Sequence, residues 1–301
     1  MFSCKQYQLL LILFQLIFIS NMSFSQKTNL EKDYNSLLAV ERTFSKTAEL
    51  LGTRSAFLRF LRDDAVVFNP LPVSGIELWT ERPESESSLL WQPVYAKISL
   101  SGDFGFTTGP WEYRTNKNDK DPAAYGHYVT VWEKNELGLW EAAIDAGISY
   151  QSIDTADVNE LIYNSPNSLP QTNEKIQKEL FLKLLLQTDT EFSAKSAKDG
   201  FKDAFAETSS QNVRLYRNNY FPLIGKVKSL QFLNDDLLQW EASGGGISSA
   251  DDLGYTYGIG EIINNSEKKN KNRFSYFRIW QKLNNDEWKL LLDLIIPIEN
   301  E

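Results

Sequence analysis

Apolar residues recur at helical spacing early in the chain. Leu30, Tyr34, Leu37, Leu38, Phe44 and Ala48 fall three and four apart, with Glu41 as the one charged position in the stripe. This predicts an amphipathic helix that stops at Gly52. A short second helix over Arg54–Leu61 and a strand over Ala65–Phe68 follow. Beyond residue 90 the spacing changes to that of strands, predicted over Trp91–Leu100, Asp103–Tyr113, Tyr125–Lys134 and Leu139–Ile148. Helices followed by a run of strands indicate an α+β fold.

The pattern then repeats. An offset of 148 residues aligns Glu41-Arg-Thr-Phe44-Ser45 with Asp189-Thr-Glu-Phe192-Ser193, and Tyr128, Trp132, Trp140 and Asp145 with Tyr276, Trp280, Trp288 and Asp293. An offset of 149 aligns Trp91 with Trp240 and Asp103-Phe-Gly105-Phe-Thr107-Thr-Gly109 with Asp252-Leu-Gly254-Tyr-Thr256-Tyr-Gly258. A period this long indicates tandem domains, not a solenoid. The predicted organisation is copy one over 27–150, a linker over 151–172 with the turn chemistry of Asn164-Ser-Pro166-Asn-Ser-Leu-Pro170, and copy two over 173–299. In copy two, Ile176, Leu180, Leu184 and Phe192 mark the corresponding first helix.

Three stretches of copy one, Gly102-Asp-Phe-Gly-Phe-Thr-Thr-Gly-Pro-Trp-Glu-Tyr, Tyr125-Gly-His-Tyr-Val-Thr-Val-Trp-Glu-Lys and Gly138-Leu-Trp-Glu-Ala-Ala-Ile-Asp145, resemble the SnoaL-like, ketosteroid-isomerase-like branch of the nuclear transport factor 2-like superfamily. Within it they are closest to an uncharacterised branch of exported bacterial proteins. The resemblance covers about residues 35–149 and, more weakly, 178–297, where Gly260, Ser275 and Asp286 replace Trp111, His127 and Gly138. It implies tandem cone-shaped domains, each with N-terminal helices packed on a curved antiparallel sheet around a pocket. It fixes no reaction, because one fold hosts many functions.

Residues 1–25 read as a secretory signal peptide: Lys5, an apolar run from Leu9 to Ile19, and the small-x-small Ser23-Phe24-Ser25. The run is short for a membrane span, which needs about 20 apolar residues. A periplasmic or secreted location follows as an expectation. The net charge of −9 becomes −10 on cleavage, since Lys5 is the one charged residue removed. Such a surface disfavours nucleic acid and anionic lipid. One His and one Cys in the whole chain exclude multi-His or Cys-rich metal sites and intrachain disulfides. No Rossmann or Walker motif is present, so no cofactor is expected. The basic run Lys268–Arg273 reads as a solvated hairpin tip.

The candidate chemistry sits mostly in copy one. His127 shares a strand face with Val129 and Val131, a face read as the core or pocket side, where it would serve as a base or a hydrogen-bond donor. Asp145 and Asp293 follow the last-strand tryptophans. Strict alternation turns them away from the tryptophan face unless a bulge re-aims them. Trp79, Trp91, Tyr95, Trp111 and Tyr125 are candidate walls of an aromatic pocket, with Arg82-Pro-Glu-Ser-Glu-Ser-Ser as its rim or lid. Trp132, Trp140, Trp280 and Trp288 read as core.

Three readings follow. The first is a protein that binds a small apolar or cyclic molecule in copy one, with no catalysis implied. The second is an isomerase- or dehydratase-type enzyme using His127 and Asp145 as acid and base. The third is a structural module whose copies pack as an intramolecular pseudo-dimer, with further homo-oligomerisation left open. The leader generates the first prediction: N-terminal sequencing of the exported protein should find a mature chain beginning near Gln26, and an intact leader on that protein would overturn the assignment.

Overall fold

The computed structural model describes residues 29–151, 161, 163, 175–263, 273–283 and 286–298. The 1–25 leader, most of the linker and most of the Lys268–Arg273 run lie outside them. Copy one opens with helix α1 (29–51) and helix α2 (Thr53–Phe60), separated by Gly52 at φ 90°. There follow strands β1 (Leu61–Asn69) and β2 (Leu71–Ser74), helix α3 (Gly75–Glu81), and strands β3 (Ser88–Trp91), β4 (Tyr95–Ile98), β5 (Phe104–Arg114), β6 (Ala124–Lys134) and β7 (Trp140–Tyr150). Copy two repeats the order as α4 (Lys175–Asp199), α5 (Phe201–Thr208), β8 (Ser209–Arg217), β9 (Leu223–Ile224), α6 (Lys226–Phe232), β10 (Leu238–Ile247), β11 (Leu253–Ile262), β12 (Arg273–Lys282) and β13 (Trp288–Pro297).

Among the described residues the sheet orders are β2-β1-β7-β6-β5-β3, with β4 also on β5, and β10-β11-β12-β13-β8-β9. The fold is α+β in tandem, as the pattern predicts. The sheets are mixed, not wholly antiparallel: β1 runs parallel to β7, and β8 to β13. The predicted strand over Trp91–Leu100 is divided into β3 and β4, which lie end to end along β5.

Each sheet has two covered faces. One face packs on its own helices. Leu37, Phe44, Phe57 and Trp132 form that core in copy one, and Leu185, Phe192, Phe205 and Trp280 form it in copy two. Gly105 and Gly254 permit the close approach, since a Cβ at either would lie 2.6 Å from Leu37 or Leu185 respectively. The phase of α4 differs from the sequence reading. Leu180 and Leu184 are exposed, and Leu185, Asp189, Phe192 and Ser196 face inward. Trp132 and Trp280 are core as expected, whereas Trp140 and Trp288 are only partly buried.

The other faces pack against each other. Phe104, Phe106, Val129 and Val131 of copy one share one core with Tyr255, Phe277, Ile279 and Leu292 of copy two. The polar contacts at its edge are reciprocal. Leu100 N–H donates to Asp252 at 2.9 Å, and Ser249 N–H donates to Asp103 at 3.2 Å, with each pair of partners related by the repeat offset. This is the pattern of an isologous two-fold interface within one chain.

Because neither sheet can bury this face alone, the two copies should unfold together. Phe106→Ala, at a position with no exposure, should cost about 3–5 kcal/mol. It should also lower the urea midpoints of 19F-labelled Trp132 and Trp280 equally; an effect on Trp132 alone would show that the copies are independent.

Candidate functional site

Two β-bulges aim the acids. Val131 pairs with Ile144 but Trp132 pairs with Ala142, so Ala143 is left over. Likewise Ile279 pairs with Leu292 and Trp280 with Leu290, leaving Leu291. The extra residue reverses the alternation. Ala143 and Ile144 both enter the inter-sheet core, and Asp145 turns to the helix side. Plain alternation places Asp145 on the wrong face; the bulge corrects it.

Asp145 accepts a hydrogen bond from Thr130 Oγ1 at 2.6 Å. Burial, only partly offset by that bond and reinforced by the charge of Glu41, pushes its pKa up to about 7. Glu41, the charged interruption in the α1 stripe, is fully buried. It accepts from Trp91 Nε1 at 2.6 Å, Thr107 Oγ1 at 2.5 Å and Trp132 Nε1 at 2.9 Å. Burial raises its pKa against these bonds. In the helical stripe Glu41 stands out only as a charged interruption, with no role attached. The signal was present, because Asp189 occupies the same place in the second stripe.

Between helices and sheet, copy one holds a cavity of about 230 Å³. Trp79, Trp91, Trp111, Phe44 and Tyr128 supply aromatic walls, and Asp145 supplies the acid. Trp111 fits there because its partner across the strands is Gly126, where a side chain would collide with the indole. A second chamber of about 300 Å³ adjoins the first and shares Trp79, Arg82 and Leu89 with it. Its rim is the Arg82–Ser87 loop, tied down by Arg54 to Glu84 at 3.0 Å. Trp79 stacks on Phe57 at 4.2 Å, and the Arg82 guanidinium lies 4.6 Å from the Trp79 ring. Trp79 Nε1 is buried and has no hydrogen-bond partner among the described residues, and the buried Tyr128 Oη, with Glu41 and Thr107 beside it, makes no well-formed bond. Burial and the Glu41 charge hold the Tyr128 hydroxyl well above its ordinary pKa, so it is a donor.

The structure therefore brings together Trp79, Trp91, Trp111 and Asp145. It leaves Tyr95 and Tyr125 outside the cavity wall. Tyr95 packs against the inter-sheet core with Arg214 at 3.9 Å from its ring. His127 is also elsewhere. Its face, shared with Val129 and Val131 as predicted, is the one turned to copy two. Its ring lies 5.0 Å from Phe221 and 6.0 Å from Tyr216. Nδ1 is 2.9 Å from Tyr150 Oη, which donates to Gly126 O, so Nδ1 carries the proton. Burial, with Arg214 nearby, lowers its pKa to about 3. His127 and Asp145 thus lie on opposite faces of one sheet and cannot act on one substrate. No group of three or more His, Cys, Asp or Glu side chains suited to a metal occurs among the described residues. No described helix is long and apolar enough to cross a membrane.

No protein-family profile and no curated protein matches the chain. Solved structures do. An NTF2-like protein with a cystatin-like fold from Novosphingobium aromaticivorans matches at TM-score 0.36 and 11% identity, over 47% of this chain and 96% of that one. A DUF4783 family protein from Bacteroides uniformis matches at TM-score 0.29 and 16% identity, over 36% and 97%. Nuclear transport factor 2 from Cryptosporidium parvum matches at 0.30 and 12%, over 42% and 100%. Each is similar to less than half of this chain.

Proposed function

We propose that the protein is an exported small-molecule-binding protein whose binding site is the copy-one cavity. The observation that carries this reading is the aromatic-walled cavity itself, which holds Asp145 and a buried Trp79 indole N–H that has no hydrogen-bond partner among the described residues. Ligand sites combine apolar walls with a few polar groups left free to orient a guest. Copy two is the structural partner, since Arg278 lies buried among the residues that correspond to those around the copy-one cavity. Leu89 lies where the cavity meets the outer chamber. Native mass spectrometry of protein from its own compartment should find a bound small molecule, which Leu89→Trp should displace. Identical spectra for both proteins would count against the cavity.

A catalytic reading is favoured by one observation, the near-neutral Asp145 in an apolar site. Its acid–base pair would be Asp145 with Tyr128, not Asp145 with His127.

The titration of Asp145 has a signed consequence. Glu41 from α1 and Tyr128 from β6 face it, and Arg82 stands across the cavity. Its folded pKa of about 7 lies above the value of about 3.9 in an unfolded chain. The native state therefore holds a proton that the unfolded state lacks between these values, and stability falls as pH rises through that window by up to about 1.4 kcal/mol per pH unit. Glu41, also raised, acts in the same direction. His127 opposes both: its folded pKa near 3 lies below about 6.5, so its contribution grows as pH rises toward 6.5. Urea titrations should therefore show Asp145→Asn gaining stability relative to wild type from pH 5 to 7.5. A constant difference across that range would mean that Asp145 is already ionised at pH 5.

A further inference from the structure

Copy two contains an occupied version of the copy-one cavity. Arg278 is fully buried beneath α4. Its Nε donates to Asp293 at 2.7 Å and its Nη1 to Asp189 at 3.0 Å. The guanidinium carbon lies 3.9 Å from the Trp240 ring centre, 4.2 Å from Tyr276 and 4.8 Å from Phe192. The repeat offset converts these five contacts into Asp145, Glu41, Trp91, Tyr128 and Phe44. Four of the five line the copy-one cavity, and the fifth, Glu41, is bonded to Trp91 directly behind it. The binding shell of Arg278 is thus present in copy one, with Glu for Asp as its one change.

The guanidinium is absent there. The residue equivalent to Arg278 is Thr130, at the same register opposite Asp145 and bonded to the same carboxylate. The second cation of copy two, Arg217, bonds Asp293 and is replaced by the exposed Asn69. Copy two therefore pairs its two buried acids with two guanidiniums, and among the described residues copy one leaves both acids without a cation. Tyr276 donates to Asp189 at 2.6 Å, whereas Tyr128, beside Glu41, makes no well-formed bond among the described residues. We propose that the copy-one cavity binds a small organic cation with a guanidinium or amidinium head, placed between Asp145 and Glu41 and stacked on Trp91 and Tyr128, as Arg278 is placed in copy two.

The physical grounds are general. A buried carboxylate beside a half-buried one is costly without a cation, a planar guanidinium satisfies both directionally, and a desolvated aromatic cage adds attraction. Arg82 lines the junction with the outer chamber. A ligand with its head at Asp145 therefore turns its other end toward a positive wall, and that end is best neutral or acidic. The proposal rests on the small-molecule reading above and names the ligand class for the same site.

The test uses the full mature chain with n-propylguanidinium, which is the arginine side chain without its backbone, its neutral planar isostere n-propylurea, and toluene as an apolar probe. The readouts are calorimetry and the indole N–H resonances of Trp79, Trp91 and Trp111. We expect n-propylguanidinium to bind at least tenfold more tightly than n-propylurea, with affinity falling as pH is lowered from 8 to 6. Asp145→Asn should erase the difference between the two probes. Thr130→Arg should raise the melting temperature and abolish binding by supplying the cation internally. Should that variant fail to fold, Arg278→Ala gives the converse test, with a lowered melting temperature that n-propylguanidinium partly restores and n-propylurea does not. If n-propylurea or toluene binds as tightly as n-propylguanidinium, the cation assignment is overturned while the small-molecule reading stands. If none of the three shifts an indole resonance, both are overturned.

Discussion

A carboxylate buried between a helix and a sheet must be surrounded by donors, and both copies are arranged around that constraint. The first helix of each copy carries an acid on its inward face, Glu41 or Asp189, neither with measurable exposure. Such a charge costs several kcal/mol unless it is bonded. Indole N–H, hydroxyl and guanidinium groups on the opposite sheet provide the bonds, so the acid fixes helix to sheet in one register. The longer Glu41 reaches Trp91, Thr107 and Trp132 without a cation. The shorter Asp189 depends on Trp240, Tyr276 and Arg278.

A second acid sits next to the first in both copies, and here the copies part. Asp293 would be raised by burial alone, but Arg217 and Arg278 hold it below the ordinary carboxylate range. Asp145 has only a threonine and remains near neutrality. One copy has its acids neutralised internally, and the other has one acid, Asp145, on the wall of a cavity and the second, Glu41, behind it. An exchange of large and small residues accompanies the difference: Trp111 opposite Gly126 in copy one becomes Gly260 opposite Phe274 in copy two. The pair keeps its bulk, but the ring changes strands, and in copy one it walls the cavity.

The shared inter-sheet core restricts where chemistry can occur. With one face of each sheet occupied by the other copy, the space left for a guest is on the helix side. This is why His127, the chain's one histidine and its most conspicuous titratable group by composition, has a packing role. It is neutral, bonded to Tyr150 and wedged against aromatic rings of copy two.

Much of this was legible in the sequence. The duplication, the helix-then-sheet order, the α1 stripe and the cores at Trp132 and Trp280 follow from spacing and self-alignment, because periodicity and repetition are properties of the chain itself, and the three cavity tryptophans stand among the aromatic candidates of copy one. Which sheet face meets the helices was not legible, because both faces of β6 are apolar and alternation says only that they differ. The direction of Asp145 was hidden for a related reason: a single unopposed residue, Ala143, inverts the alternation and carries no distinctive sequence signal. The phase of α4 escaped because Leu180 and Leu184 are apolar yet exposed. The pairing of Arg278 with Asp189 and Asp293 spans 89 and 15 residues, so only the folded chain brings the three together and reveals that Thr130 leaves the equivalent place in copy one without a cation.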